Sequence, residues 1–204
     1  MYFIKCVDIL GEGTQLHFVR QAILLAATFD VILKEDIYNA AAGDCLIESV
    51  LYNLRNRYND FQMDMPFTVD QYRMLWANSA RQLTRKDPAF VSMTDLQFNQ
   101  GWFQMSQPGQ WALQTFGDFF IAAIAACVQK NILVFEITSN RVFSVSATRL
   151  GTNRTTDIPI ILGYNGNHYE SLLPVDDNAV AASTRLSNAY LAGLDQHQLR
   201  TVNQ

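Results

Sequence analysis

GDCLIESV, residues 43–50, places a cysteine directly after a glycine-containing turn and at the start of an apolar segment. Apolar residues then recur at helical spacing, which predicts a helix from Cys45 to about Arg57. A helix N-terminus has unpaired N–H groups and the positive end of the helix dipole, so a thiolate forms readily there. Gly43 allows a tight turn whose N–H groups can hold the oxyanion of a tetrahedral intermediate. Cys45 is therefore a candidate nucleophile, and a buried core cysteine is the alternative that the local sequence leaves equally open.

A second segment, far along the chain, carries a candidate base. Residues 158–164 predict a strand, residues 165–167 a turn, and residues 168–173 a second strand that opens with His168. Glu170 follows two residues later, and residues i and i+2 of a strand point to the same face. The carboxylate can then hold one ring nitrogen while the other faces a thiol. Without the cysteine segment a solvated hairpin histidine is the better interpretation, but together the two segments supply the parts of a cysteine protease.

Two acidic residues lie close to the candidate nucleophile. Asp44 directly precedes it, and a neighbouring negative charge disfavours a thiolate, so we assign Asp44 to capping the helix or ordering the oxyanion loop. Glu48 lies in the first helical turn and is interpreted as compensating the helix dipole. A serine hydrolase is not indicated, because the sequence has no GxSxG motif.

Composition argues against several other classes of function. The chain has 204 residues, 49% of them hydrophobic and 17% charged, and we expect a single domain over residues 1–204. A net charge of −4 without a basic run argues against nucleic-acid binding. No apolar stretch reaches the ~20 residues that span a bilayer, and the first ten residues show no secretion signal. We therefore expect neither a nucleic acid nor a membrane as partner.

The histidines and cysteines are too scattered to suggest a metal site. Cys6, Cys45 and Cys127 show neither a disulfide pattern nor the paired spacing of metal-binding cysteines. We therefore predict no metal and no cofactor, and a reducing compartment such as the cytosol. Cys6 and Cys127 lie in apolar surroundings and are predicted to be buried.

Periodicity predicts helices in the first two thirds of the chain and strands mainly after residue 130. The predicted helices cover about 14–27, 45–57, 68–83, 115–130 and 178–194, and the strands cover 132–137, 142–147, 158–164 and 168–173. A capping box at residues 68–71 starts the third helix, whose apolar face is predicted from Tyr72, Leu75, Trp76 and Leu83. Residues 84–110 contain two prolines and two glycines and are predicted to be mostly irregular. This order favours an α+β fold with a small, mainly antiparallel sheet packed between helices.

At these segments the chain resembles the ovarian tumour (OTU) family of cysteine proteases, most of which are deubiquitinases. The family's nucleophile segment reads roughly D-G-N-C-L-F-R-S-V, and residues 43–50 match it in order. Its histidine segment, roughly I-x-L-x-Y, a gap and H-Y-N/D-S-L, is matched by residues 160–164 and 168–172. Further matches lie between the two, in the expected order, at Tyr72-Arg73, Pro108-Gly109-Gln110-Trp111, residues 122–126 and residues 132–135. The resemblance spans about 39–174, and residues 1–38 and 175–204 are unmatched extensions.

The resemblance implies a papain-like OTU fold and an isopeptidase that acts on ubiquitin or polyubiquitin. It implies that Cys45 attacks the carbonyl of the C-terminal glycine, that His168 transfers the proton and that Glu170 holds the imidazole. The other implied site residues form the oxyanion loop, Ala42, Gly43 and Asp44, and the walls of a narrow substrate cleft, Trp111, Tyr164, Asn167 and Tyr169. The implied location is the cytosol, or the host cytosol if the chain is a secreted effector.

Three positions depart from the family pattern and keep other functions open. Ala42 stands where the family has an acidic residue, Ile47 where it has an aromatic one, and Glu170 where Asn or Asp is usual. One alternative is a catalytically weak or inactive module that binds ubiquitin. Another is a papain-like thiol hydrolase that acts on a ubiquitin-like modifier. The presence of both the cysteine and the histidine favours the active enzyme.

Overall fold

Helices pack on both faces of a four-stranded sheet in the computed structural model, which describes residues 12–34, 43–57, 67–111, 114–148, 150 and 156–193. The helices are α1 Glu12–Ala27, α2 Cys45–Arg57, α3 Val69–Thr84, α4 Asp95–Met105, α5 Gln114–Val128 and α6 Asp177–Leu191. The strands are β1 Leu33–Lys34, β2 Lys130–Glu136, β3 Arg141–Val145, β4 Thr156–Tyr164, β5 Tyr169–Ser171 and β6 Leu173–Pro174. The predicted α+β class is confirmed.

The sheet has the strand order β3-β2-β4-β5. β2 pairs antiparallel with β3 and parallel with β4, and β4 pairs antiparallel with β5. The prediction of a small, mainly antiparallel sheet is therefore confirmed, with one parallel pair at its centre. A separate two-stranded antiparallel pair joins β1 to β6. β5 is one of the two edge strands of the larger sheet, and it lies against α2.

Alternating side chains of the central strands enter two hydrophobic cores. Ile132 and Val134 pack into a large cluster with α2, α3, α4 and α5. Leu133 and Phe135 point the other way, into a cluster with α1 and α6. A strand buried on both faces has no polar side to show, which is why residues 132–135 are continuously apolar.

Residues 84–110 are more helical than the sequence analysis predicted. α4 begins at a capping box in which the Thr94 hydroxyl accepts from the Gln97 N–H and the Gln97 side chain accepts from the Thr94 N–H. Gly101 lies inside this helix, and the Phe116 ring of α5 occupies the space where a Cβ at this position would lie. The lack of a side chain at residue 101 therefore lets the two helices pack closely. The expectation of a mostly irregular segment was therefore wrong: the glycine there allows close helix packing and does not end the helix.

Two predictions of burial were also wrong. On α3, Leu75 and Leu83 are 49% and 42% exposed, whereas Arg73 is fully buried. Cys127 lies exposed on α5, although its surroundings in sequence are apolar. Cys6 lies outside the described residues. Apolar sequence context alone did not identify the face of each helix that is turned to the core.

Candidate active site

The candidate nucleophile lies at the first residue of α2, as the sequence predicted. The preceding turn contains Gly43 with a φ of 84°, a conformation that side chains disfavour. A Cβ at this position would also lie 2.5 Å from the Cα of Gly109, so glycine is required for two reasons. The backbone N–H of Glu48 donates to the Asp44 carbonyl at 3.0 Å, which closes the first helical turn. Ala42, the third predicted residue of the oxyanion loop, lies outside the described residues.

The candidate base is held by the turn between β4 and β5. The Asn165 side-chain oxygen accepts from the backbone N–H of Asn167 at 3.0 Å and of His168 at 2.8 Å. The Phe18 ring, from α1, and the imidazole pack in a T-shaped arrangement with 6.2 Å between ring centroids. His168 is therefore a 5% exposed histidine with a fixed backbone, not a solvated hairpin residue.

The imidazole is paired with the carboxylate that the strand spacing predicted. His168 Nε2 lies 3.3 Å from Glu170 Oε2, and Glu170 is fully buried. Burial alone lowers the pKa of His168, but hydrogen bonds to Cys45 and Glu170, with the charges of both, outweigh it and raise the pKa from 6.5 to about 10. Because Nε2 is directed to Glu170, Nδ1 is the ring nitrogen left for the sulfur. The arrangement favours the protonated, imidazolium form of His168.

A polar stripe on α2 fixes this helix against β4 and β5, the strands on either side of the turn that carries the candidate base. Cys45 Sγ accepts from the Tyr169 N–H at 3.4 Å, and the Ser49 hydroxyl donates to the Tyr169 carbonyl at 3.2 Å. Asn53 donates to the Ile161 carbonyl at 2.9 Å and to the Ser171 hydroxyl at 2.5 Å. These contacts set the register of the nucleophile relative to the base.

The sequence analysis missed this role of Ser49 and Asn53. Their signal is a repeat of four residues, since Ser49 and Asn53 lie four and eight residues after Cys45, which puts all three side chains on one side of the helix. Both residues are fully buried, and a polar residue in an apolar helical face needs a partner there.

The turn before α2 is held from the opposite side by a buried arginine of α3. Arg73 Nε donates to Asp44 Oδ1 at 2.5 Å, and Arg73 Nη2 donates to the Gly43 carbonyl. Asp44 Oδ2 accepts from the Gly109 N–H at 3.1 Å. The Asp44 side chain thus bridges Arg73 and Gly109, and the guanidinium lies beside its carboxylate. The role of Asp44 in an oxyanion loop stays a prediction. The sequence analysis noted Arg73 only as part of a family match.

The predicted cleft residues lie in two places. Tyr164 and Tyr169 stack with 4.3 Å between centroids, and the Tyr169 peptide contacts the nucleophile. Asn167 is exposed on the neighbouring turn. Trp111 is half-buried at the start of α5, where its ring packs edge-on against Phe120. Cys45 itself is only 7% exposed, so access to the sulfur is narrow.

The described part of the chain offers neither a cluster of metal ligands nor a membrane-spanning helix. Within the described ranges, no three histidine, cysteine, aspartate or glutamate residues group in a way that could hold a metal ion. None of the helices that the structure describes has the length and apolar character needed to cross a membrane.

Comparison with known proteins supports the fold. No protein-family model matches the sequence, and no curated protein matches it significantly. The structure is similar to a solved structure described as an ovarian tumor (OTU) domain in complex with ubiquitin. The match has a TM-score of 0.50 and 14% sequence identity, and it covers 78% of this chain and 88% of the other. The chain therefore has an OTU-like fold, and its chemistry has to be argued from its own residues.

Proposed function

We propose that this protein is a thiol-dependent hydrolase that cleaves the peptide or isopeptide bond after the C-terminal glycine of ubiquitin. The observation that carries the proposal is the contact between the three candidate residues. Cys45 begins a helix, and its Sγ accepts from the N–H of Tyr169, the residue after His168, at 3.4 Å. Glu170 Oε2 lies 3.3 Å from His168 Nε2, and the thiol and the carboxylate together raise the pKa of the imidazole. This is the geometry that nucleophilic catalysis by a thiol requires.

In the proposed reaction the Cys45 thiolate attacks the carbonyl carbon of the terminal glycine. A C–S bond forms, and the carbonyl π electrons move to the oxygen, where N–H groups of the turn at residues 43–45 stabilise the charge. The imidazolium of His168 donates its proton to the departing amine as the C–N bond breaks. Water then attacks the thioester, with the imidazole as base, and releases the thiol. The raised pKa of His168 favours the protonated ring that the first step needs.

The narrow access to the sulfur supports a substrate that ends in glycine. Cys45 and His168 are 7% and 5% exposed, and the stacked Tyr164 and Tyr169 lie beside them. A chain that ends in two glycines has no side chains at the positions next to the scissile bond. It can therefore enter a slot that larger residues cannot. The similarity to an OTU domain solved with ubiquitin supports the same choice of substrate.

The experiment is to incubate the protein with ubiquitin that carries a C-terminal electrophile and to measure the intact mass. The wild type should gain the mass of one ubiquitin, and Cys45→Ala should gain none. Cys127→Ser is the matched control, because Cys127 is an exposed thiol away from the site and its loss should leave the adduct unchanged. An adduct on Cys127, or none on the wild type, would contradict the proposal.

The same samples distinguish the alternatives. A ubiquitin-binding module without activity would retain ubiquitin on a column and form no adduct. A hydrolase of a ubiquitin-like modifier would form the adduct only when the electrophile is carried by that modifier. Cleavage of di-ubiquitin by the wild type, absent in Cys45→Ala, would complete the case for a deubiquitinase.

A further inference from the structure

Arg73 on α3 bonds two segments that are far apart in sequence, residues 43–44 and residues 105–110, and the first of them directly precedes the candidate nucleophile. We propose that Arg73 is a positioning residue that orients the oxyanion loop, and that it sets the direction of the Asp44 N–H group. This inference rests on the proposed function, because it assigns a role in stabilising the oxyanion of that reaction. Arg73 itself does not touch the reacting atoms.

The Arg73 side chain makes four hydrogen bonds. Arg73 donates to Asp44 Oδ1 at 2.5 Å, to the Gly43 carbonyl, and to the carbonyls of Met105 and Gln110, both at 2.8 Å. The side chain is fully buried. A guanidinium has five donors in a rigid plane, and this set of acceptors uses its fork geometry. A lysine carries the same charge but cannot reach all four acceptors.

The peptide group between Gly43 and Asp44 is planar, which couples the directions of its carbonyl and its N–H. In a trans peptide the carbonyl oxygen and the following N–H point in opposite directions. Because Arg73 Nη2 holds the Gly43 carbonyl, the Asp44 N–H must point away from the guanidinium. The second carboxylate oxygen of Asp44, held by the Gly109 N–H at 3.1 Å, fixes the same residue from the side.

Without Arg73, the backbone at Gly43 would be free to adopt other conformations. Gly43 has a φ of 84°, and glycine crosses between backbone conformations more easily than any other residue. Without the bond to Arg73, this peptide can rotate and turn a carbonyl where the oxyanion needs a donor. Gly43 also packs on the backbone of Gly109. Arg73 bonds the same turn through the Gln110 carbonyl, so the turn at residues 108–110 supports the loop as well.

The test compares Arg73→Lys with Arg81→Lys, a matched control on the exposed side of the same helix. Two reactions are measured. Hydrolysis of a ubiquitin C-terminal fluorogenic amide needs both the thiolate and the oxyanion donors. Alkylation of Cys45 by iodoacetamide needs only the thiolate. Arg73→Lys should lower kcat about 100-fold, the usual effect of losing one oxyanion donor, with KM and the alkylation rate nearly unchanged. Arg81→Lys should change neither reaction.

Two results would overturn the proposal. One is an unchanged kcat in Arg73→Lys. The other is an equal loss of hydrolysis and alkylation, which indicates general damage to the site. If Arg73→Lys does not fold, as judged by circular dichroism, Asp44→Asn decides the matter, because it keeps the side-chain shape and removes the charge. It should lower kcat selectively in the same way and to a smaller extent, and an unchanged kcat would again overturn the proposal.

Failure of the proposed function is recognised separately. If the wild type hydrolyses no ubiquitin substrate, that function is wrong, and N-acetylglycinal tests Arg73 instead. The sulfur adds to the aldehyde carbon, and the oxygen takes the thiol proton to give a thiohemiacetal that the oxyanion donors stabilise. Weaker aldehyde binding in Arg73→Lys than in Arg81→Lys supports the role of Arg73. Equal binding in the two variants, or no adduct in the wild type, overturns it.

Discussion

Replacing Glu170 with glutamine should move the alkaline limit of activity to lower pH. The imidazole of His168 lies between Cys45 and this carboxylate, and the two contacts raise its pKa from 6.5 to about 10. That difference corresponds to roughly 5 kcal/mol in favour of the imidazolium, at about 1.36 kcal/mol per pH unit. An opposite charge in contact typically accounts for about 1–3 pH units. Glu170→Gln removes the charge and keeps the side-chain shape, so we expect the limit to fall by that amount.

The same shift makes the folded protein less stable at alkaline pH. Because the folded pKa of His168 lies above its ordinary value, this stabilisation is complete below pH 6.5 and is lost as the pH rises to about 10. The free energy of unfolding should therefore decrease over this window in the wild type. In Glu170→Gln the decrease should be smaller and end at a lower pH. Urea denaturation at a series of pH values measures both curves.

The activity assay is kcat/KM for a ubiquitin C-terminal fluorogenic amide as a function of pH, with the alkylation rate of Cys45 followed in parallel. Glu136→Gln is the matched control, because that carboxylate lies at the end of β2 and bonds Arg141. Glu170→Asp, which restores the charge on a shorter side chain, should regain much of the wild-type rate and profile. If the alkaline limbs of the wild type and Glu170→Gln coincide, Glu170 does not hold the imidazole and the reasoning is wrong.

Three further variants test the parts that support the site. Gly43→Val should lower kcat far more than it changes KM, because a Cβ at residue 43 meets the Gly109 backbone and distorts the oxyanion loop; a rise in KM alone would indicate a substrate contact instead. Asn53→Ala should lower the free energy of unfolding by about 3 kcal/mol, since it leaves buried partners on β4 and β5 unsatisfied, whereas the exposed Asn56→Ala should have little effect; urea denaturation measures both. Gly101→Ala should cost about 1–3 kcal/mol by the same measurement, because the added methyl group meets the Phe116 ring, and an unchanged midpoint would show that the ring can move aside.

The sequence predicted where the candidate nucleophile and the candidate base lie because their signals are local. Cys45 follows a glycine turn and begins a periodic segment, and the structure starts α2 at that residue. The alternation of a strand put His168 and Glu170 on one face, and their side chains are in contact. Each of these inferences needs only a few neighbouring residues. Ala42 lies outside the described residues, so its expected place in the oxyanion loop stays a prediction.

The wrong prediction for residues 84–110 came from reading local residue types without their packing partners. The glycines and prolines of residues 84–110 led to the prediction of an irregular segment, and the capping box at Thr94 that begins α4 was not recognised. A glycine inside a helix costs about 1 kcal/mol relative to alanine, which tertiary packing readily outweighs. Here the packing partner is Phe116 of α5, which no pattern within residues 84–110 could indicate.

Arg73, Ser49 and Asn53 were missed because they are polar residues that the structure buries, whereas a sequence pattern places polar residues at the surface. A helical pattern assigns leucines to the core and arginine to solvent, yet on α3 Leu75 is exposed and Arg73 is fully buried. An ionised side chain is costly to bury unless it is paired and hydrogen-bonded, and the partners that compensate Arg73 lie 29 to 37 residues away. A buried arginine at a position where the helix pattern predicts exposure is explained if its hydrogen bonds hold the loop at residues 43–44 in one conformation. Arg73, the position at which the helix pattern fails, thus indicates the loop on which the proposed reaction would depend.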